Sequence, residues 1–169
     1  MAADPKEIMQ IVAGMKTRRQ IIEHHLQEVA EYIAPRSVGF TSKPIMGEKR
    51  MTKVFDNTAL TALNLLASGL HGMATNPSMS WFSLGMADPS LMEDDNVKNW
   101  LSDTTRAMRA HMYAPGTNIV TAFNEAYADL GAFGTASMFT GLRKDGGLLY
   151  QTRPLAQIYI AENDEGVID

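Results

Sequence analysis

No cysteine occurs among the 169 residues. Disulfides, zinc–thiolate sites, iron–sulfur clusters and cysteine nucleophiles are therefore excluded, which suits a reducing cytosol. Long apolar runs are missing as well. The longest hold four or five residues, far short of the roughly 20 that a membrane-spanning helix needs, so no membrane partner is expected. The opening "MAADPKEIMQ" has no apolar core of the kind a signal peptide carries. An excess of positive charge is absent too. Lys and Arg number 15 against 19 Asp and Glu, a net charge of −4. The chain as a whole is not a polycation built for nucleic acid, although a local basic patch can still serve one.

What is present is ordinary for a globular chain: 45% apolar and 20% charged residues. At this length a core can form, and the chain suits one domain or part of a larger one. The 12 methionines supply flexible side chains that fill irregular gaps. Apolar spacing of three and four marks helices. The first spans 5–33: Asp4 caps it, Pro5 fits its first turn, and Glu7 completes a capping-box-like start. Ile8, Ile11, Met15, Ile22, Leu26, Val29 and Ile33 form its stripe, and Pro35 stops it. Residues 36–53 read as a loop with a basic set, Arg36, Lys43, Lys49, Arg50 and Lys53. Its length suggests a segment ordered by a partner; a solvated surface loop is the plain alternative.

A second helix, 57–75, begins near Asp56 and contains Gly69 and Gly72 among small residues. Interior glycine costs a helix about 1 kcal/mol relative to alanine. Close approach of a neighbouring helix or subunit is the reason to expect two of them there. Asn76 and Pro77 end that helix. "SWFSLGM" then alternates like a strand near 80–86, with Trp81 and Phe82 on opposite faces. A third helix, 96–113, is capped by Asp95, and a fourth, 118–131, ends near Gly131 or Gly134. The period then changes to that of an antiparallel hairpin region over 135–169, with "KDGG" as its turn. The chain stops in mid-hairpin, so a further C-terminal part is expected. The fold class is α+β, mainly helical, in one partial domain over 1–169.

Catalytic constellations do not emerge from this pattern. The histidines are His24, His25, His71 and His111. His25 and Glu28 lie three apart, without the order of carboxylate-bridged metal bundles or an HExxH pair. His71, inside the glycine-bearing helix, reads as a packed, hydrogen-bonded side chain. "LGAFGTAS" holds Gly131 and Gly134 but lacks the GKS/T ending of a phosphate loop and follows a helix rather than a strand. Glu93, Asp94 and Asp95 at a helix start are explained by the helix dipole. No GxSxG elbow occurs. No catalytic residue, metal ligand or cofactor is expected, and the chain reads as a structural or interaction protein rather than an enzyme.

Several ordered segments carry a resemblance. "VFDNTALTALNLLASGLHGMATNPSMSWFSL" resembles the signature of the head-to-tail connecting (portal) proteins of short-tailed, podovirus-type bacteriophages. The matching residues are Phe55, Asp56, Thr58 and Ala59, then Leu66 to Leu70, then Pro77, Trp81, Phe82 and Leu84. "EVAEYIAPR", "FNEAYADLGAFGTAS" with Gly131 and Gly134, and "RPLAQIYIAENDEGVID" from Arg153 and Pro154 are similar to further family segments. The resemblance implies a portal wing-like fold and the N-terminal (wing) part of a longer chain. It also implies a ring of twelve subunits at one capsid vertex, through which double-stranded DNA is packaged and ejected. Capsid, scaffolding, tail and terminase proteins would be its partners. Its location would be the virion, and the host cytoplasm during assembly. The competing readings are a monomeric scaffold or adaptor whose first helix enters a partner's groove, and a hydrolase using Glu93, Asp94 and a histidine on a metal.

Overall fold

The computed structural model describes residues 4–37, 39–41, 45, 47, 53–144, 146–163, 166 and 168. Four helices and one two-stranded antiparallel sheet occur among them: α1 (Pro5–Ile33), α2 (Thr58–Ala74), α3 (Asp95–Met112), α4 (Ile119–Phe133), β1 (Ser137–Leu142) and β2 (Leu148–Arg153). The mainly helical α+β class expected from the sequence is the class observed.

Local chemistry sets most boundaries. Asp4 caps α1 by accepting from the Lys6 N–H, with Pro5 in the first turn, and the helix ends at Ala34 before Pro35. Asp94, not the expected Asp95, caps α3 and accepts from the Asn96 N–H. At the end of α4, Gly134 has φ 73° and donates its N–H to the Leu130 carbonyl at 2.9 Å. That is the left-handed helix stop for which glycine bears no Cβ penalty.

The strand expected near 80–86 is not one. Its residues have no ladder partner among the described residues. Side chains of α3 take the ladder's place: Arg109 Nη2 donates to the carbonyls of Pro77 (3.1 Å) and Met79 (2.6 Å), and Thr105 Oγ1 accepts from the Leu84 N–H (3.1 Å). The two aromatic rings do not separate to opposite faces either. Trp81 and Phe82 meet edge to face with centroids 4.8 Å apart. Backbone groups held by a helix leave no need for strand pairing, and so no need for alternation.

By its internal contacts the chain divides into two compact units. One comprises Met1–Asn64, Asp129–Ser137 and Arg153–Asp169; the other comprises Leu65–Ala128 and Met138–Thr152. In the first, the C-terminal half of α1 is the scaffold. Ala30 is fully buried, and Gln27 Oε1 accepts the N–H groups of Gly39 and Phe40. Those bonds seat the Phe40 ring on the edge of Phe133 at 5.5 Å. In the second, Ile119, Ala122 and Tyr150 form the core, with Met112, Tyr113, Phe123, Met138 and Leu148 against it. The hairpin docks there through backbone acceptors: the Tyr150 N–H donates to the Thr117 carbonyl and Thr152 Oγ1 to the Ala122 carbonyl. Burial pushes the Tyr150 phenol above its ordinary pKa.

Candidate functional site

Thr75 is the hub of the second unit. It follows α2 directly and is 5% exposed. Tyr127 OH donates to Thr75 Oγ1 at 3.2 Å, Tyr113 OH donates to the Thr75 carbonyl at 3.3 Å, and Trp81 Nε1 donates to Tyr113 OH at 2.9 Å. His71 Nδ1 lies 2.8 Å from Thr75 Oγ1. A hydroxyl has one proton and two lone pairs. Thr75 Oγ1 therefore serves Tyr127 and His71 together. Around these bonds the rings of Trp81 and Phe123 stand perpendicular at 5.8 Å, and Phe123 stacks with Tyr127 at 6.1 Å. The expected packed, hydrogen-bonded His71 is found here. The network fixes the turn through Asn76 and Pro77, and Asn76 Oδ1 accepts from the Ser78 N–H.

Arg19 organises the first unit, and the sequence reading missed it. Its Nη1 donates to three carbonyls, those of Leu155 (3.3 Å), Ala156 (3.2 Å) and Ile158 (2.8 Å). Its Nε pairs with Glu23 at 2.9 Å, with both side chains only 12% exposed. The guanidinium also lies 4.0 Å from the Tyr159 ring centre. Pro154 sets up this capture: its carbonyl accepts the Gln157 N–H and starts the short turn whose carbonyls face Arg19. The signal was available. Arg19 stands in the apolar stripe between Met15 and Ile22, with a carboxylate one turn on, which is where a buried, paired arginine belongs.

The glycines behave differently from expectation within the chain. A Cβ built on Gly69 or on Gly72 meets nothing within 4 Å among the described residues. The close approach on α2 is made instead by Ala67, which is 1% exposed. Of the expected neighbours, helix or subunit, no helix among the described residues packs onto the two glycines. The first half of α1 is open too. Pro5 to Gly14 are all exposed, and Ile8, Ile11, Val12 and Ile22 present an apolar face. Phe55 is 94% exposed. Beside it Asp56 accepts from the Thr58 N–H at 3.2 Å, and its hydrogen bonds to Thr58 hold its carboxyl below the ordinary range. Thr58 and Ala59 are exposed at the start of α2, Gly131 is exposed in the last turn of α4, and Arg153 ends β2, also exposed. Of the basic loop, Lys43, Lys49 and Arg50 lie outside the described residues. Lys53 pairs with Glu31, which lowers the Glu31 carboxyl and raises the Lys53 ammonium relative to their ordinary values.

One groove opens in the second unit, with a volume of about 320 Å³. Leu84, Met92 and Leu101 contribute apolar surface to its lining, and Lys98, Arg106 and Arg109 contribute positive charge. Arg109 Nε is buried and has no hydrogen-bond partner among the described residues. No cluster of three His, Asp or Glu side chains suited to a metal ion occurs among the described residues. His71 is engaged with Thr75, and Glu93 and Asp94 sit at the exposed start of α3. Among the described residues no helix is long and apolar enough to cross a membrane.

A polar-aromatic lock, an arginine clamp and open apolar faces among the described residues fit the class of structural proteins. The comparisons agree with that class. Residues 5–169 match the family described as bacteriophage head to tail connecting protein. The chain is 33% identical over 156 residues to a probable portal protein of Bordetella phage BPP-1, across 92% of this chain and 28% of that protein. It is 31% identical over 173 residues to a portal protein of Salmonella phage epsilon15, across 100% of this chain and 30% of that one. The chain belongs to the bacteriophage head-to-tail connecting protein family. It spans only 28% and 30% of the length of these two curated relatives.

Proposed function

We propose that the chain is the N-terminal, wing part of a portal subunit: a structural, non-enzymatic protein. Its copies form a ring of twelve at one capsid vertex, through which double-stranded DNA is packaged and later ejected. Capsid, scaffolding, tail and terminase proteins are the partners of the whole protein, and the virion is its location after assembly in the host cytoplasm. Family membership supports this reading. The observation on the molecule that carries it is the open apolar surface. The face of α1 through Ile8, Ile11, Val12 and Ile22, the glycine face of α2 and the exposed Phe55 have no cover among the described residues. A chain that leaves such faces open is built to bury them on assembly. A ring subunit buries two different faces, one on each neighbour, in heterologous contacts that close. The acidic balance suits a conduit that lets DNA slide, because phosphate affinity rises with the number of cationic contacts.

The family glycines and the basic loop take their places in this reading. Gly69 and Gly72 admit a neighbouring subunit's backbone. Lys43, Lys49, Arg50 and Lys53 meet a neighbour or DNA. Mass measurement of the full-length protein in solution tests the proposal: closed oligomers are expected, and a monomer at every concentration refutes it in favour of the adaptor reading. Nuclease or ATPase turnover that disappears on Glu93→Ala or His111→Ala would instead support the hydrolase.

A further inference from the structure

Two features of the chain complement each other. The first is the pair Phe55-Asp56. The phenylalanine ring is 94% exposed and the neighbouring carboxylate is exposed and held ionised by its Thr58 hydrogen bonds. An aromatic ring so exposed contributes nothing to its own fold, and large aromatic side chains are the usual anchors of interfaces. The second is the groove of about 320 Å³ with Leu84, Met92 and Leu101 as its apolar surface and Lys98, Arg106 and Arg109 as its cations. Among the described residues no carboxylate contributes to that lining. Arg106 is largely exposed, and among the described residues it is held by an i,i+3 pair with Asp103 whose side chains are 76% and 72% exposed. Pairs of that kind are weak, so this guanidinium is free to exchange partners at little cost.

We propose that Phe55 and Asp56 of one copy of this chain dock in the groove of a second copy. The ring covers Leu84, Met92 and Leu101, and the Asp56 carboxylate meets Arg106. A cleft of this volume is at the small end of ligand-sized sites; it takes one aromatic side chain and its flanking carboxylate rather than a helix. The contact joins two different surfaces of identical chains, so repetition generates a ring or a filament rather than a symmetric dimer. It rests on the ring assembly proposed above and names the surfaces that make it.

The absence of cysteine makes the test clean. Asn57→Cys and Ser102→Cys are placed in separate chains, beside the knob and on the groove, and the two proteins are mixed under mild oxidation at concentrations where mass photometry shows oligomers. The expected product is a disulfide-linked pair containing one chain of each kind, with few pairs of like chains. Asp56→Lys and Arg106→Asp should each weaken self-association by about tenfold, and the combination should restore most of it. Phe55→Ala should weaken it further. Oligomers that persist while the mixed chains fail to cross-link overturn the contact and leave the ring standing. A cross-link confined within single doubly substituted chains also overturns it. A chain that is monomeric at every concentration overturns both the contact and the ring.

Discussion

Replacing Gly69 and Gly72 by alanine separates the two reasons a helix can carry such residues. Both lie inside α2, which ends at Ala74, and neither has a positive φ. A Cβ at either site meets no atom of the described residues within 4 Å, so none of them opposes the change. Each substitution then gains the intrinsic difference between the residues, about 0.8–1 kcal/mol. The pair should stabilise the isolated chain by nearly 2 kcal/mol. Urea unfolding followed by far-UV circular dichroism at a concentration where the chain is monomeric measures this as a rise in midpoint at constant slope. Under assembly conditions Gly69→Leu should lower the oligomer fraction, because a neighbour's backbone can no longer come close. Destabilisation of the monomer by 1–3 kcal/mol, the usual cost of overpacking, would refute the open-face argument. Stabilised monomers with undiminished assembly would remove the glycines from the interface.

Further substitutions test the internal framework. Thr75→Val keeps the shape but strips Tyr127 OH and His71 Nδ1 of their partner; a loss of about 1–3 kcal/mol is expected by chemical denaturation. Arg19→Met leaves Glu23 and three carbonyls unserved and should cost about 3 kcal/mol, with hydrogen exchange speeding up around Leu155 to Ile158. At Gly116, φ is +87° and an added Cβ would meet Arg143 Nη1 at 2.1 Å, so Gly116→Ala should cost about 1–3 kcal/mol, less when Arg143 is already alanine. The Glu31–Lys53 pair predicts a pH effect. Because the folded Glu31 carboxyl is lowered, its contribution is present above the ordinary glutamate pKa of 4.5 and is lost as pH falls through the lowered value. Lys53→Ala should move the Glu31 titration seen by NMR back up; an unmoved titration would show that the pair does not form in solution.

Which parts of this molecule were legible in the sequence follows from how local their causes are. The limits of α1 come from Asp4-Pro5 at one end and Ala34-Pro35 at the other, and the expected 5–33 is the observed helix. The other helices, expected at 57–75, 96–113 and 118–131, shift by one or two residues. In "EDD" three adjacent acids compete to cap α3, and only geometry selects Asp94. Fraying of this order is normal at helix ends. The β1–β2 hairpin was legible because its turn lies between its strands. The segment 80–86 was not: pairing depends on a partner that sequence does not specify, and here Arg109 and Thr105 arrive from α3, more than twenty residues away in the chain, to hold Pro77, Met79 and Leu84. The Arg19 clamp is similar, joining residues 136–139 positions apart. His71 was legible in kind, as a packed side chain, but its tie to Tyr127 through Thr75 was not. Exposure is the least legible property of all. Gly69, Gly72 and Phe55 look like core-building residues in a list of amino acids, and only the fold shows that they face outward.

The central claim is that the open faces of this chain are subunit contacts of a closed ring. Native mass spectrometry or mass photometry of the full-length protein measures that most directly. A single dominant species at twelve times the subunit mass, dispersing into smaller species when Phe55 and the glycine face are altered, is the predicted result. A monomer that persists at micromolar concentration with all its faces intact would contradict the account.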